Sequence, residues 1–171
     1  MTAHRIPAIW LFSLTLVAAP AAAQQPAAAA ATVIALPPLT TPDTGTKGNE
    51  TLALAWQATQ LISSDLQQTS ELMPLPSSRE DYYSYPEVTA PTFSKWRAKG
   101  AKALITGFVQ TRPDGRLTVG CYIYDVGKGQ ELGRTGFVVG ANDWRRAAHK
   151  CSGLAYKSIT GAPGVFDTRI A

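Results

Sequence analysis

Residues 101–139 carry the pattern that most limits what this chain can fold into. Leu104-Ile105-Thr106-Gly107-Phe108-Val109 is an apolar, partly β-branched run with strand character. Arg112-Pro113-Asp114-Gly115 follows as a turn, its proline presetting φ and its glycine tolerating a positive φ. Residues 116–126 read as a second strand in which Leu117, Val119, Cys121 and Ile123 share one face. Gly127-Lys128-Gly129 turns the chain again, and residues 131–139 read as the third strand. Links this short cannot carry a crossover, so the three strands form an antiparallel meander.

The apolar face of such a sheet needs a cover, and residues 144–160 offer one. Trp144, Ala148, Cys151, Ala155 and Ile159 lie along one side of a helix, with Arg145, Arg146, His149, Lys150 and Lys157 mainly outside it. Asn142 is placed to cap this helix, Asp143 puts negative charge in its first turn, and Gly161 stops it. Upstream, residues 32–36 form a first strand stopped by Pro37-Pro38, and residues 40–49 read as an exposed loop. A second helix spans residues 50–69, with Leu52, Ala55, Thr59, Ile62 and Leu66 at helical spacing and Trp56 extending the buried face. Leu72-Met73-Pro74-Leu75 fits an edge strand, because proline cannot donate to a central ladder. Residues 77–91 are polar, tyrosine-rich and irregular; residues 93–99 make a short helix ended by Gly100, with Trp96 turned inward. The expected fold is α/β in the α+β sense: a mixed sheet of about five strands, containing the meander, with two main helices packed on one face.

The N-terminus reads as a targeting signal. His4 and Arg5 precede an apolar core at residues 6–19, too short to span a membrane comfortably. Pro20 breaks the core, and Ala21-Ala22-Ala23 gives the small-residue pattern that a signal peptidase reads, so cleavage falls between Ala23 and Gln24. The alternative, an uncleaved anchor, needs a longer span. This divides the chain into a signal peptide (1–23), a flexible Ala-rich leader (24–31), an α/β domain (32–162) and a final segment (163–171) that begins another strand. Of the 16 Lys and Arg the signal removes only Arg5, so 15 face 12 acidic residues, a net charge of +3. That balance suits an exported chain that does not span the membrane after cleavage, and gives no nucleic-acid footprint, which calls for a concentrated basic patch.

Candidate chemistry is sparse. His149 is the one histidine beyond the signal, and its basic surroundings read as a solvated surface residue rather than a general base. Glu80-Asp81, in a loop, and Asp125 with Glu131, flanking a turn, read as solvated carboxylates. Gly127-x-Gly129 follows no strand-to-helix step and so is a hairpin turn rather than a phosphate loop. The basic run from Trp144 to Lys150 could meet phosphate or lipid head groups, but its helical spacing favours a core face with a solvated back. No cofactor or metal constellation is read, since structural zinc takes four ligands. Cys121 and Cys151 are either one disulfide or two buried free thiols. The export signal favours the bridge, which closes a loop of about 30 residues and stabilises by ~3–4 kcal/mol in the chain-entropy model.

Several ordered blocks carry a resemblance. They are Ala35-Leu36-Pro37-Pro38-Leu39, Ile62-Ser63-Ser64-Asp65-Leu66, Phe93-Ser94-Lys95-Trp96-Arg97-Ala98-Lys99-Gly100-Ala101 and Leu104-Ile105-Thr106-Gly107. Asp114-Gly115-Arg116-Leu117, Tyr124-Asp125-Val126, Trp144-Arg145-Arg146-Ala147-Ala148-His149-Lys150, Ile159-Thr160-Gly161 and Phe166-Asp167-Thr168-Arg169-Ile170-Ala171 complete the series. Over residues 32–171 the chain resembles the amino-terminal domain of the TolB family, the periplasmic component of the Tol–Pal envelope system. The resemblance implies a non-enzymatic interaction module beside a six-bladed propeller, in a system that maintains outer-membrane integrity and draws the envelope inward at division. It implies TolA and other Tol–Pal components as partners. At the position of the family's polar–apolar TolA epitope this chain has Gln24-Gln25-Pro26 and alanines, so that epitope does not carry over residue by residue. Docking of the lipoprotein Pal belongs to the propeller, to which residues 166–171 resemble the junction. The alternative reading is a stand-alone periplasmic adaptor that reuses this domain with another partner.

Overall fold

The computed structural model describes residues 30–76, 78–164 and 166. The signal peptide, the Ala23/Gln24 cleavage point and most of the leader lie outside those residues, as does the final strand apart from Phe166. Phe166 itself sits in a turn, with its ring 5.9 Å from that of Tyr156 in an edge-on contact.

Five strands form one mixed sheet. They are β1 (Thr32–Ala35), β2 (Leu72–Pro74), β3 (Ala103–Thr111), β4 (Leu117–Asp125) and β5 (Gln130–Val139), in the order β2-β1-β3-β4-β5. β1 runs parallel to both its neighbours, and β3, β4 and β5 make the antiparallel meander expected from their short links. Gly115 (φ 79°) and Gly129 (φ 65°) supply the left-handed positions of the two turns, where a side chain would be strained. Asp114 reinforces the first by accepting from the Arg116 N–H, and Asp125 the second by accepting from the Lys128 N–H. Ile123 pairs with Gly133 but Tyr124 with Glu131, so Leu132 is the extra residue of a bulge. β2 lies at the edge, where the missing N–H of Pro74 costs no ladder bond.

The helices α1 (Gly45–Gln67) and α3 (Trp144–Thr160) pack against each other and against the same sheet face. Between them lies the main core, in which Ile62, Leu66, Ile105, Val119, Ile123 and Ala155 are buried. Removing a side chain such as Ile62 from this layer would cost roughly 2–5 kcal/mol. A smaller cluster covers the other face, where α2 (Phe93–Ala98) sets Trp96 against Leu104, Tyr124 and Val126. Cys121 on β4 and Cys151 on α3, both fully buried, have Cα atoms 6.0 Å apart and linked sulfurs.

Three local expectations need correction. α1 begins at Gly45, not residue 50, because tertiary bonds hold its first turn. Asp43 accepts from the Thr51 hydroxyl (2.9 Å) and from the Thr111 N–H of β3 (2.8 Å), tying the helix start to the sheet. Asn142 does not cap α3; it lies in a short 3-10 turn (Ala141–Asp143), Asp143 takes the cap position, and no side chain bonds the helix end there. Trp56 does not extend the core, since its indole is only half-buried and faces a cleft.

Candidate functional site

That cleft has a volume of about 680 Å³. It is lined on one side by a flank of the apolar stripe of α1, which is wider than the sheet alone can cover. Ala55, Thr59, Ile62 and Leu66 face the sheet, while Leu52, Ala53 and Trp56 are turned toward the loop that precedes α2. Pro38 and Leu39, just beyond β1, line it, and Tyr82, from the loop before α2, is its second aromatic lining residue beside Trp56. Asn49, Gln57 and Arg79 edge the mouth, and Arg79 is the one charged residue among those lining it.

The wall carrying Tyr82 is fixed by its neighbour. The Tyr83 hydroxyl accepts from the Gly107 N–H at 2.8 Å and donates to the Gly107 carbonyl at 3.0 Å, bonding both backbone groups of one β3 residue. Full burial drives its phenol far above the usual range. The Tyr82 hydroxyl is bonded to Thr40 Oγ1 at 3.0 Å, and Leu39 N–H donates to Thr59 Oγ1 at 2.8 Å, so both walls are joined through the segment after β1. A second anchor is Asp81, buried between Lys95 (3.2 Å) and Lys99 and accepting from Ser78. Burial alone would raise its carboxyl, but the hydrogen bonds from Lys99, Lys95 and Ser78 outweigh that and hold it below its ordinary value.

His149 is not the solvated residue its neighbours suggested. Its Nδ1 lies 2.8 Å from Asp65 Oδ2, and Ser152 donates to the same oxygen at 2.6 Å. Serine, histidine and a carboxylate thus meet between α1 and α3, yet in an order that gives no nucleophile. The carboxylate stands between the other two, so the Ser152 hydroxyl points at Asp65 and not at an imidazole base. Ser152 is also fully buried. The cluster joins two helices.

The other candidates separate. Asp81 is buried and paired, which corrects its reading as solvated, while Glu80 remains exposed. Asp125 holds the second turn and Glu131 pairs with Arg134 at 3.5 Å. Gly127 and Gly129 belong to that turn. In the basic run Trp144, Ala147 and Ala148 are buried, Arg145 stacks on Trp144 and Lys150 lies over Phe137. Sequence reasoning missed Tyr82 and Arg79 because the segment has no period; its tyrosine density was the available sign.

The described residues thus form a small α+β domain with a mixed five-stranded sheet and an anchored apolar cleft beside α1. Comparison with known proteins is specific. The TolB amino-terminal domain model matches residues 25–132. The Tol-Pal system protein TolB of Rhizorhabdus wittichii is 44% identical over 169 residues, covering 95% of this chain and 38% of the relative. That of Zymomonas mobilis is 46% identical over 138 residues, covering 80% and 30%. The crystal structure of TolB from Acinetobacter baumannii is similar with a TM-score of 0.58 and 25% identity, over 80% of this chain and 30% of that one. The chain belongs to the TolB amino-terminal domain family and so with the Tol–Pal envelope proteins. It spans less than two-fifths of the length of these curated relatives. Among the described residues no helix is long and apolar enough to cross a membrane.

Proposed function

We propose that this chain acts in the periplasm as a non-enzymatic interaction module of the Tol–Pal system, supporting outer-membrane integrity and envelope invagination at division. The observation that carries this reading is the family match at residues 25–132, joined to 44% identity over 95% of the chain. The signal sequence delivers the chain, and cleavage after Ala23 leaves Gln24 as the first periplasmic residue. Cys121 and Cys151 form a structural bridge in that oxidising compartment. The domain works through protein contacts, with TolA among its candidate partners. Pal docking stays with the family's propeller. In vivo cross-linking followed by capture of the tagged chain tests the reading. Tol–Pal components are expected above the level of an untagged control, and capture that yields none of them refutes it.

A further inference from the structure

We propose that the cleft between α1 and the loop before α2 receives a peptide segment of a partner protein in which a large apolar side chain is flanked by a carboxylate. The inference deepens the reading above, on which it rests for the partner being a protein. Three features of the cleft select this occupant.

The first is the unused apolar flank of α1. A helix that had only the sheet to cover would carry one apolar stripe facing it. Here Leu52, Ala53 and Trp56 widen that stripe on the flank away from Ala55 and Ile62, and none of the three is among the residues packed in the described core. The second is composition. Tryptophan, tyrosine and arginine are the residues that dominate interface energies, because each joins a large contact area to a polar tip. Here Trp56, Tyr82 and Arg79 converge on one concavity, and its volume of about 680 Å³ falls within the roughly 300–1,000 Å³ typical of ligand sites.

The third is charge. Arg79 makes no ion pair among the described residues, and no carboxylate lines the cleft to neutralise it. A carboxylate on the occupant would complete a two-pronged pair with its guanidinium. The side-chain amides of Asn49 and Gln57, without hydrogen bonds among the described residues, stand where they can bond the main chain of an extended or helical segment. Tyr82 is about half exposed (49%), so the site is shallow and open, suited to a side chain entering from a larger body rather than an enclosed acyl chain.

Selection of a random twelve-residue peptide library on the purified full chain provides the test, with binding of the enriched synthetic peptides read by heteronuclear NMR. Enrichment of Asp or Glu beside Trp, Phe or Leu is expected, with shifts centred on Leu52, the Trp56 indole and Tyr82. Arg79→Glu and Trp56→Ala should each weaken binding at least tenfold, and Arg79→Lys should recover part of the loss. Both altered side chains are solvent-accessible, and unchanged thermal melting verifies the fold. No enrichment, enrichment of basic peptides, or affinity indifferent to both substitutions would overturn the proposal. So would equal shifts at the cleft from phosphatidylglycerol vesicles. Tol–Pal capture that fails while cleft-dependent peptide binding persists would sink only the Tol–Pal reading; intact capture without cleft-dependent binding would sink only this inference.

Discussion

Reducing the link between Cys121 and Cys151 is the most informative perturbation of the fold. The bridge spans 30 residues and joins α3 to β4, an interior strand of the sheet. In the chain-entropy model, releasing a loop of that length from the unfolded ensemble removes about 3.6 kcal/mol at 25 °C. For a domain of this size each kcal/mol moves the melting temperature by roughly 3–4 °C, so reduction should lower Tm by about 12 °C. Cys121→Ala with Cys151→Ala should fall further, because it also deletes two fully buried sulfurs, each comparable to a core methylene at roughly 0.5–1.5 kcal/mol. Calorimetry with and without reductant gives the first difference, and denaturant titration gives a second signature. An uncrosslinked unfolded chain exposes more surface, so the m value should rise on reduction. Thiol titration of denatured, unreduced protein should find essentially no free thiol. Two thiols per chain, or a Tm indifferent to reductant, would refute the reasoning.

Two further outcomes follow from buried carboxylates. The Asp81 carboxyl is held below its ordinary 3.8 in the folded chain, so its stabilising contribution is fully present above that value and is lost as pH falls through the folded one. Urea titrations from pH 6 down to pH 2 should therefore show Asp81→Asn less stable than the parent at pH 6, with the gap narrowing below about pH 4; a gap that stays constant refutes the assignment. At the α1–α3 contact, a double-mutant cycle of Asp65→Asn and His149→Ala should give a coupling of roughly 0.5–3 kcal/mol by urea denaturation near pH 6. Additive effects would show that the 2.8 Å approach contributes nothing.

The meander was legible because its turns are chemically explicit. Proline, aspartate and glycine at residues 113–115 fix a reversal, and alternation at Leu117, Val119, Cys121 and Ile123 fixes which face is covered. Pro74 likewise marked an edge strand, and β2 is one. The start of α1 was not legible, because what extends the helix to Gly45 is Asp43 bonding to Thr51 and to Thr111, a contact across 68 positions in sequence. The same limit hid the role of His149. The basic residues near it in the chain, Arg145, Arg146 and Lys150, suggested a solvated face, but its actual partner, Asp65, comes from another helix. Trp56 was misplaced for a different reason: helical periodicity locates a residue beside an apolar stripe and does not say whether the next surface is sheet or solvent. The cleft combines both failures, since one wall is an aperiodic loop.

Those hidden contacts also explain why the cleft can serve as a binding site at all. An open apolar groove between a helix and an irregular loop would ordinarily close or fluctuate, and ordering it on binding would cost affinity. Here the helix wall is held at its start by Asp43, toward its end by Asp65 bonding Ser152 and His149, and along its length by Ile62 and Leu66 in the core. The loop wall is held by Tyr83 on the backbone N–H and carbonyl of Gly107 and by Asp81 between two lysines. None of these anchors presents its polar group to the cleft. The polar side-chain groups that do edge it, on Asn49, Gln57 and Arg79, are the ones left without internal hydrogen bonds among the described residues. Anchoring and recognition are therefore carried by separate residues. A substitution at the mouth can therefore test the proposed contact without unlocking the walls.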